Sequence, residues 1–393
     1  MNILFFTRNQ VSPNIGGTER VTLTLGSGLR KYYNYNCYSA YIHPNEGNNQ
    51  VFCGEIKLRR SILTNDIINY IEDNAIDWLI CQGEFRIAIK IKNALNKRGS
   101  KCKVMAVHHF APGWEEKFVT PQIIISKLKS HQKIQAFKQI ILYPYLKWQA
   151  LTNASVYKKA YNSLDYISLL SKSFIREFTD YAKISDTGKF KVIPNPLSFE
   201  EQLSNDEIAQ KQNIILIVGR LEENQKRISL ALEIWKRLNE ELTEAHNWSL
   251  HIAGEGPDRI KYQDIVESKF IPNVVFLGKI NPLEEYKKAS IFIMTSRYEG
   301  RPLTITEALQ FGVVPIAMNS FSSLTDLIDD SVNGYVIPNN DLDSFIKKLS
   351  DLITNHTTRN EMAKQAVLSA NKFSISEIAK EWVTILNNRS IEY

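Results

Sequence analysis

Short apolar runs and amphipathic stretches follow one another along the whole 393-residue chain. In the first half, runs bounded by turn residues predict strands at 2–7, 38–42, 77–81, 103–107, 165–170 and 191–193. Helical spacing of apolar positions lies between several of them, as at 66–73 and 85–97. A break follows at Pro194-Asn195-Pro196, then a polar stretch over 200–212. The alternation then restarts, with strands predicted at 214–218, 249–253, 274–277, 291–294, 314–317 and 335–337. Alternating strand and helix units imply parallel sheets covered by helices on both faces, and the mid-chain restart implies two of them. Ligands of such sheets bind at the carboxyl ends of strands, and in a two-sheet chain also between the domains. The expected domains are 1–196 and 197–373, with an amphipathic final segment over 374–386. No short repeat or low-complexity segment appears.

The most informative stretch is 291–312, IFIMTSRYEGRPLTITEALQFG. It reads as a buried strand, a polar turn and a helix. Pro302 suits the first helical position, because its missing N–H would have no partner there. Gly312 suits a left-handed cap at the far end. A helix start at the end of a parallel strand turns free N–H groups and partial positive charge into a crevice, which favours phosphate. Two glutamates, Glu299 and Glu307, lie eight positions apart in this turn. Carboxylates beside a phosphate site call for a partner, and sugar hydroxyls supply one.

Length and composition narrow the class. A chain of 393 residues exceeds one ordinary core, and 44% hydrophobic with 23% charged residues describes a globular protein. No apolar run approaches the roughly 20 residues of a membrane-spanning helix. The start, MNILFFTRNQ, reads as a first strand and not as a signal peptide. Cys37, Cys53, Cys81 and Cys102 are scattered without metal-type spacing, which predicts reduced, mostly packed thiols in a cytosolic protein.

Charge is uneven. Residues 1–200 hold 27 Lys/Arg against 15 Asp/Glu, a balance of +12; residues 201–393 hold 21 against 27, or −6. The densest basic tract runs from Lys117 to Tyr161 and contains no acid. Its lysines are interleaved with Phe118, Phe137, Tyr143, Tyr145, Trp148, Tyr157 and Tyr161. Such a tract suits an anionic membrane face, where each basic residue adds about 1 kcal/mol. A solvated helical face with an aromatic core side explains it too. Nucleic acid is disfavoured, because no recognition module accompanies the tract.

Other strand ends carry candidate chemistry. Gly16-Gly17-Thr18-Glu19-Arg20 follows the first strand and opens a helix, where glycines allow close backbone approach to a ligand or simply form a turn. Arg220 follows the strand at 214–218, and Lys226 lies six residues later, ahead of a helix over 228–242. Two cations at one strand end can neutralise a diphosphate, Arg by a planar fork and Lys as a point charge, or they are plain solvated residues. Gly254-Glu255-Gly256-Pro257 ends another strand in a tight turn, with glycines that are either ligand-facing or structural.

Taken in order, Gly-Gly-Thr-Glu-Arg at 16–20, Gly219-Arg220-Leu221 with Lys226, Ala253-Gly254-Glu255-Gly256-Pro257 and Glu299/Glu307 within SRYEGRPLTITEAL resemble the retaining GT-B glycosyltransferases of family 4. The resemblance covers nearly the full length and is densest over 213–338. It is strongest to bacterial enzymes that build capsule, O-antigen or related surface polysaccharides. It implies an α/β fold of GT-B type, with two Rossmann-like, doubly wound parallel-sheet domains facing a central cleft. The first domain would take the acceptor, a saccharide or lipid-linked saccharide. The second would take the donor, a UDP- or GDP-sugar, and the final helix would pack back on the first. No cofactor or metal is implied. The implied location is cytoplasmic, with peripheral membrane contact through the basic tract as an open alternative.

By the same resemblance, Arg220 and Lys226 hold the donor diphosphate and stabilise its charge as the glycosidic bond breaks. Glu299 faces the transferred sugar, and Glu307 accepts hydrogen bonds from the ribose. Gly300, Arg301, Pro302, Leu303 and Thr304 form the turn around the donor, with Gly254 nearby and Gly16 and Gly17 approaching from the first domain. His109, in His108-His109-Phe110-Ala111-Pro112, matches the family's histidine near the sugar, with His108 as the alternative register.

Two departures stand out. Lys226 lies six residues after Arg220 where many members have five, and Arg301 stands where an apolar residue is common. Arg301 either reads the donor or pairs with a nearby acid. Preorganised cations and helix N–H groups can stabilise a leaving diphosphate without a metal. Asp341-Leu342-Asp343 precedes a helix over 345–353 and reads as a cap, not a metal site. With no protein nucleophile evident, front-face attack assisted by the departing phosphate is the expected route. A glycoside hydrolase needs two carboxylates roughly 5–9 Å apart, whereas eight helical steps would cover about 12 Å. A sugar-nucleotide epimerase of the same fold and a non-catalytic polysaccharide-binding protein are the other readings.

Overall fold

The computed structural model describes residues 1–12, 16–45, 50–61, 63–113 and 133–387. The chain forms two compact units, Met1–Pro194 with Ala379–Tyr393, and Asn195–Ile378. Each is built on one sheet whose strand pairings are all parallel, in the order β3-β2-β1-β4-β5-β6-β7 in the first and β10-β9-β8-β11-β12-β13 in the second. The first sheet comprises β1 (Asn2–Asn9), β2 (Asn36–His43), β3 (Gly54–Lys57), β4 (Trp78–Gln82), β5 (Lys103–His108), β6 (Tyr166–Leu169) and β7 (Phe190–Val192). The second comprises β8 (Gln212–Val218), β9 (Ser249–Ala253), β10 (Val274–Gly278), β11 (Ala289–Met294), β12 (Val314–Asn319) and β13 (Tyr335–Pro338).

The apolar runs become central strands because both faces of a parallel sheet are covered. Ile3 to Phe6 of β1 are wholly buried, and every residue of β4 and β11 is buried. Side chains alternate across the second sheet and divide its core in two. Ile215, Ile217, Ile291 and Ile293 pack with Trp235 and Leu238 of helix Ile228–Glu241 on one face. Leu216, Phe292 and Met294 pack with Ile305, Ala308 and Leu309 of helix Leu303–Gln310 on the other. In the first unit Trp78 Nε1 donates to Leu386 O (3.2 Å), which ties the last turn of helix Ile375–Leu386 to β4.

Three elements depart from expectation. β3 was not predicted: GEIK is four residues long, sits at the sheet edge and has no fully buried position. Helix Lys133–Ser163 lies largely in the tract whose lysines and aromatics have helix-like spacing, but it runs through Pro144 without a concentrated apolar face, and its bounds were not predicted. Pro302 is the N-cap, with extended backbone (φ −68°, ψ 121°), and Leu303 is the first helical residue. Gly312 does adopt the left-handed conformation (φ 63°), with its N–H on Leu309 O.

Candidate active site

In a doubly wound sheet the ligand crevice opens where strand order reverses. In the second unit that point lies between β8 and β11, which are neighbours although three strands apart in sequence order. The two loops leaving these strands are the ones the sequence singled out. After β8 come Gly219, Arg220 and a short helix Glu223–Lys226; after β11 come residues 295–302 and the uncapped amide end of helix Leu303–Gln310.

These loops are fastened together. Lys226 Nζ donates to Glu299 Oε1 at 2.6 Å, and Gln225 Nε2 donates to Glu299 Oε2 at 3.2 Å. The Lys226 and Glu299 side chains are only 15% and 8% exposed, so this is a nearly dry ion pair. The Thr295 hydroxyl donates to the carbonyl oxygens of Lys226 and Arg227, both at 3.0 Å. The residue expected at the diphosphate and the carboxylate expected at the sugar therefore neutralise each other. Each carboxylate oxygen can accept a second hydrogen bond, so sugar hydroxyls can still donate to Glu299. Arg220 is different: its side chain is 68% exposed and only loosely paired, with Glu222 at 3.6 Å.

Arg227 was not anticipated. It sits in the left-handed region (φ 49°), unusual for a residue with a side chain, and its guanidinium is buried. Nε donates to Thr295 O (2.6 Å), one terminal nitrogen to Asn340 Oδ1 (2.6 Å), and the other to Ser296 O (3.0 Å) and Asn339 Oδ1 (2.9 Å). One residue thus pins the β11 loop and the turn after β13. Burial, then the like charge of Arg297, pushes its guanidinium down to about 10. Its partners lie 68 to 113 residues away in sequence, so no local pattern could reveal it.

Three expected site residues have partners within the protein. Glu307 is wholly buried, and its carboxylate accepts from Ser198 Oγ (2.5 Å) and Tyr286 OH (2.9 Å). The span from Glu299 to Glu307 is a turn followed by a helix, not helix throughout. Gly254 is explained by packing: a Cβ there would lie 1.8 Å from Gly219 O, so the β8 and β9 loops can meet only without one. Arg301 takes the acid-pairing alternative. It is buried, lies 3.6 Å from Asp326 and stacks 4.7 Å over the Phe373 ring. Gly300 O accepts from Ser323 Oγ at 2.5 Å, and Thr304 O from Tyr286 OH at 3.4 Å. Asp341 caps helix Leu342–Thr354 through Ser344 N (3.0 Å), while Asp343 pairs with Arg237 (2.9 Å).

In the first unit the order reverses between β1 and β4. The loop after β1 leads to exposed Gly16 and Gly17 at the start of helix Gly17–Tyr33. Buried Glu19 braces it, accepting from Asn9 Nδ2 at 2.9 Å. Gly16 has φ 40°, and a Cβ there would meet the Glu19 carboxylate at 2.4 Å. His108 and His109 separate cleanly. His108 is packed inward, stacked on Phe85 at 5.2 Å with Nε2 3.0 Å from Tyr157 OH. His109 is half-buried just past the carboxyl end of β5, with Nε2 2.7 Å from Gln82 Oε1. Burial pushes His108 down to about 3 and His109 to about 4, so both are neutral at pH 7. Gln82, which orients His109, lay in an apolar run and was missed.

The basic aromatic tract lies partly outside the described residues, Lys117, Phe118, Lys127 and Lys129 among them. Of its described side chains, Tyr157 and Tyr161 are core, while Tyr145 and Trp148 are exposed with rings 6.2 Å apart. No helix among the described residues is long and apolar enough to cross a membrane. Cys37, Cys81 and Cys102 are buried and Cys53 is exposed, all as free thiols.

Residues 198–368 match the model of the family described as glycosyl transferases group 1. A Campylobacter jejuni α-1,4-N-acetyl-D-galactosaminyltransferase acting on a diphosphoundecaprenol-linked saccharide is 29% identical over 246 residues, 62% of this chain and 65% of that protein. The chain spans less than two thirds of the length of this and other curated relatives it matches. Among solved structures, Anabaena HepE in complex with UDP superposes with a TM-score of 0.73 at 14% identity, over 99% of this chain and 100% of that one. The lipopolysaccharide outer core galactosyltransferase WaaB superposes with a TM-score of 0.67 at 17% identity, over 99% of both chains. The fold is that of the GT-B glycosyltransferases, two parallel-sheet α/β domains.

Proposed function

We propose that the chain is a glycosyltransferase of bacterial surface-polysaccharide synthesis, moving a hexose-type sugar from a nucleotide-sugar donor to a saccharide or lipid-linked saccharide. The observation that carries this reading is the fastening of the Arg220–Lys226 loop to the Glu299 turn at the strand-order reversal between β8 and β11. It brings two cations, a carboxylate and a helix amide end together at the carboxyl end of the central strands. A nucleoside diphosphate complements the first and third, and a hexose the second.

On this reading Arg220, whose fork is exposed, meets the diphosphate first. Lys226 then exchanges part of its contact with Glu299 for phosphate oxygen, and Glu299 turns its spare acceptor capacity to the sugar. Charge developing on the leaving diphosphate is stabilised by cations already in place, without a divalent ion. The configuration at the transferred carbon is retained by front-face attack, with the leaving phosphate taking the acceptor proton. Neutral His109 lends a hydrogen bond near the sugar. Glu307 holds the helix that presents Gly300 to Thr304, acting on the donor through the turn it braces. Exposed Tyr145 and Trp148 support peripheral contact with an anionic membrane face.

A panel of UDP-, GDP- and other nucleotide sugars, read by protection against thermal unfolding, tests the donor assignment, since a ligand at 100 times its Kd adds about 2.7 kcal/mol. At least one should raise the Tm by several degrees, and saccharide acceptors should then release the nucleoside diphosphate. No protection by any nucleotide sugar would overturn the reading.

A further inference from the structure

We propose a second anion site, on the first unit, that binds a phosphate group of the acceptor; the word acceptor rests on the transferase reading, the site itself does not. A cavity of about 610 Å³ opens at the carboxyl end of β2, between the start of helix Leu63–Asp73 and helix Phe85–Lys97. Its charged lining is of one sign. Arg8, Arg60 and Lys90 face it together with His43, and among the described residues no carboxylate lines it. Clefts lined by one sign of charge concentrate counter-ions.

The nearby acids cancel only part of this charge. Asp66 is taken by Arg59, with oxygens at 3.1 and 3.3 Å from its guanidinium nitrogens. Glu84 pairs with Arg8 at 2.9 Å from outside the lining and leaves Arg60 and Lys90 uncompensated by it. Arg60 donates to His43 Nε2 at 2.8 Å, which aims one edge of the guanidinium and requires a neutral imidazole nitrogen there. Thr64 and Asn65, in the first turn of helix Leu63–Asp73, add neutral donors where the helix end is partially positive. A planar fork, an ammonium and a helix start around one cavity suit the several oxygens of a phosphate better than a neutral sugar. Two sources share that chemistry: the diphosphate of a lipid-linked saccharide, and the phosphodiester of a polyol-phosphate chain.

The test uses the full-length chain and two probes, inorganic pyrophosphate and glycerophosphoglycerol, titrated by calorimetry into wild type and Arg60→Gln/Lys90→Gln. Both side chains are on the surface, so the variant should melt as wild type does. We expect the variant to lose one binding site, or to bind at that site at least about tenfold more weakly. Tighter pyrophosphate binding would favour the lipid-linked source, and tighter diester binding the polyol phosphate. Equal stoichiometry and affinity in the two proteins would overturn the proposal. If the variant loses a site while wild type binds no nucleotide sugar, the pocket stands and the transferase reading falls. If anion binding is unchanged and nucleotide-sugar binding is intact, the pocket alone falls.

Discussion

Replacing Lys226 by Met asks whether the ammonium holds the two loops together, serves the reaction, or does both. Breaking a buried ion pair from one side costs about 3–5 kcal/mol, because the other charge is stranded, whereas an exposed pair is worth about 0.2–1 kcal/mol. With side chains 15% and 8% exposed, Lys226 and Glu299 lie near the buried end, which puts the loss at about 2–4 kcal/mol. At roughly 2–4 °C per kcal/mol for a domain of this size, Lys226→Met should lower the Tm by about 5–15 °C. Adding Glu299→Gln removes the stranded charge, so the double variant should recover most of that loss. Activity should not recover with it, because the diphosphate still lacks its cation and the sugar now lacks its carboxylate; turnover should stay about 10²–10³-fold below wild type. Thermal unfolding and nucleotide release, measured on both single variants and the double, separate the two roles. A Tm for Lys226→Met within 1 °C of wild type would refute the buried-pair energetics, and a double variant that turns over normally would refute the catalytic role.

Three further substitutions probe the framework of the site. Gly254→Ala drives a Cβ into Gly219 O, so the loops must separate; a loss of at least about 2 kcal/mol in denaturant melts is expected, and a neutral result would mean the close approach is not kept. Arg227→Lys keeps the charge but loses the fork that reaches Thr295, Ser296, Asn339 and Asn340, and should cost about 2–4 kcal/mol and weaken donor binding; wild-type melting would show those bonds to be dispensable. His108 and His109 are held below the unfolded value near 6.5, so the unfolded chain binds more protons and stability falls as pH drops below about 6.5 toward the folded values. His108→Phe should therefore flatten the decline by about 1.4 kcal/mol per pH unit near pH 5, and identical slopes in urea melts from pH 7 to 5 would count against an enclosed imidazole.

The fold was legible where burial on both faces made strands apolar throughout, as in β1, β4 and β11, and where a single apolar stripe marked a helix, as at Phe85–Lys97. β3 was not, because an edge strand can be short and polar, and the bounds of helix Lys133–Ser163 were not, because its apolar residues do not gather on one face. At the candidate site, the loops were legible because glycines, prolines and charges cluster at strand ends. What those side chains touch was not. Arg227, Gln225, Gln82 and Ser198 act on partners from 27 to 113 residues away, and such pairings are set by the sheet and not by spacing. Glu307 shows the same limit: its position in the motif gave no sign of Ser198 and Tyr286, which hold its buried carboxylate.

The central claim is that fixed cations at the β8 loop hold a nucleoside diphosphate in place of a divalent ion. Titration of the nucleoside diphosphate of the most protective donor into wild type and Arg220→Ala, both in excess EDTA, tests it most directly. Wild type should bind undiminished in the chelator, and Arg220→Ala should bind at least about tenfold more weakly. Binding that disappears in EDTA, or that the variant leaves untouched, would contradict it.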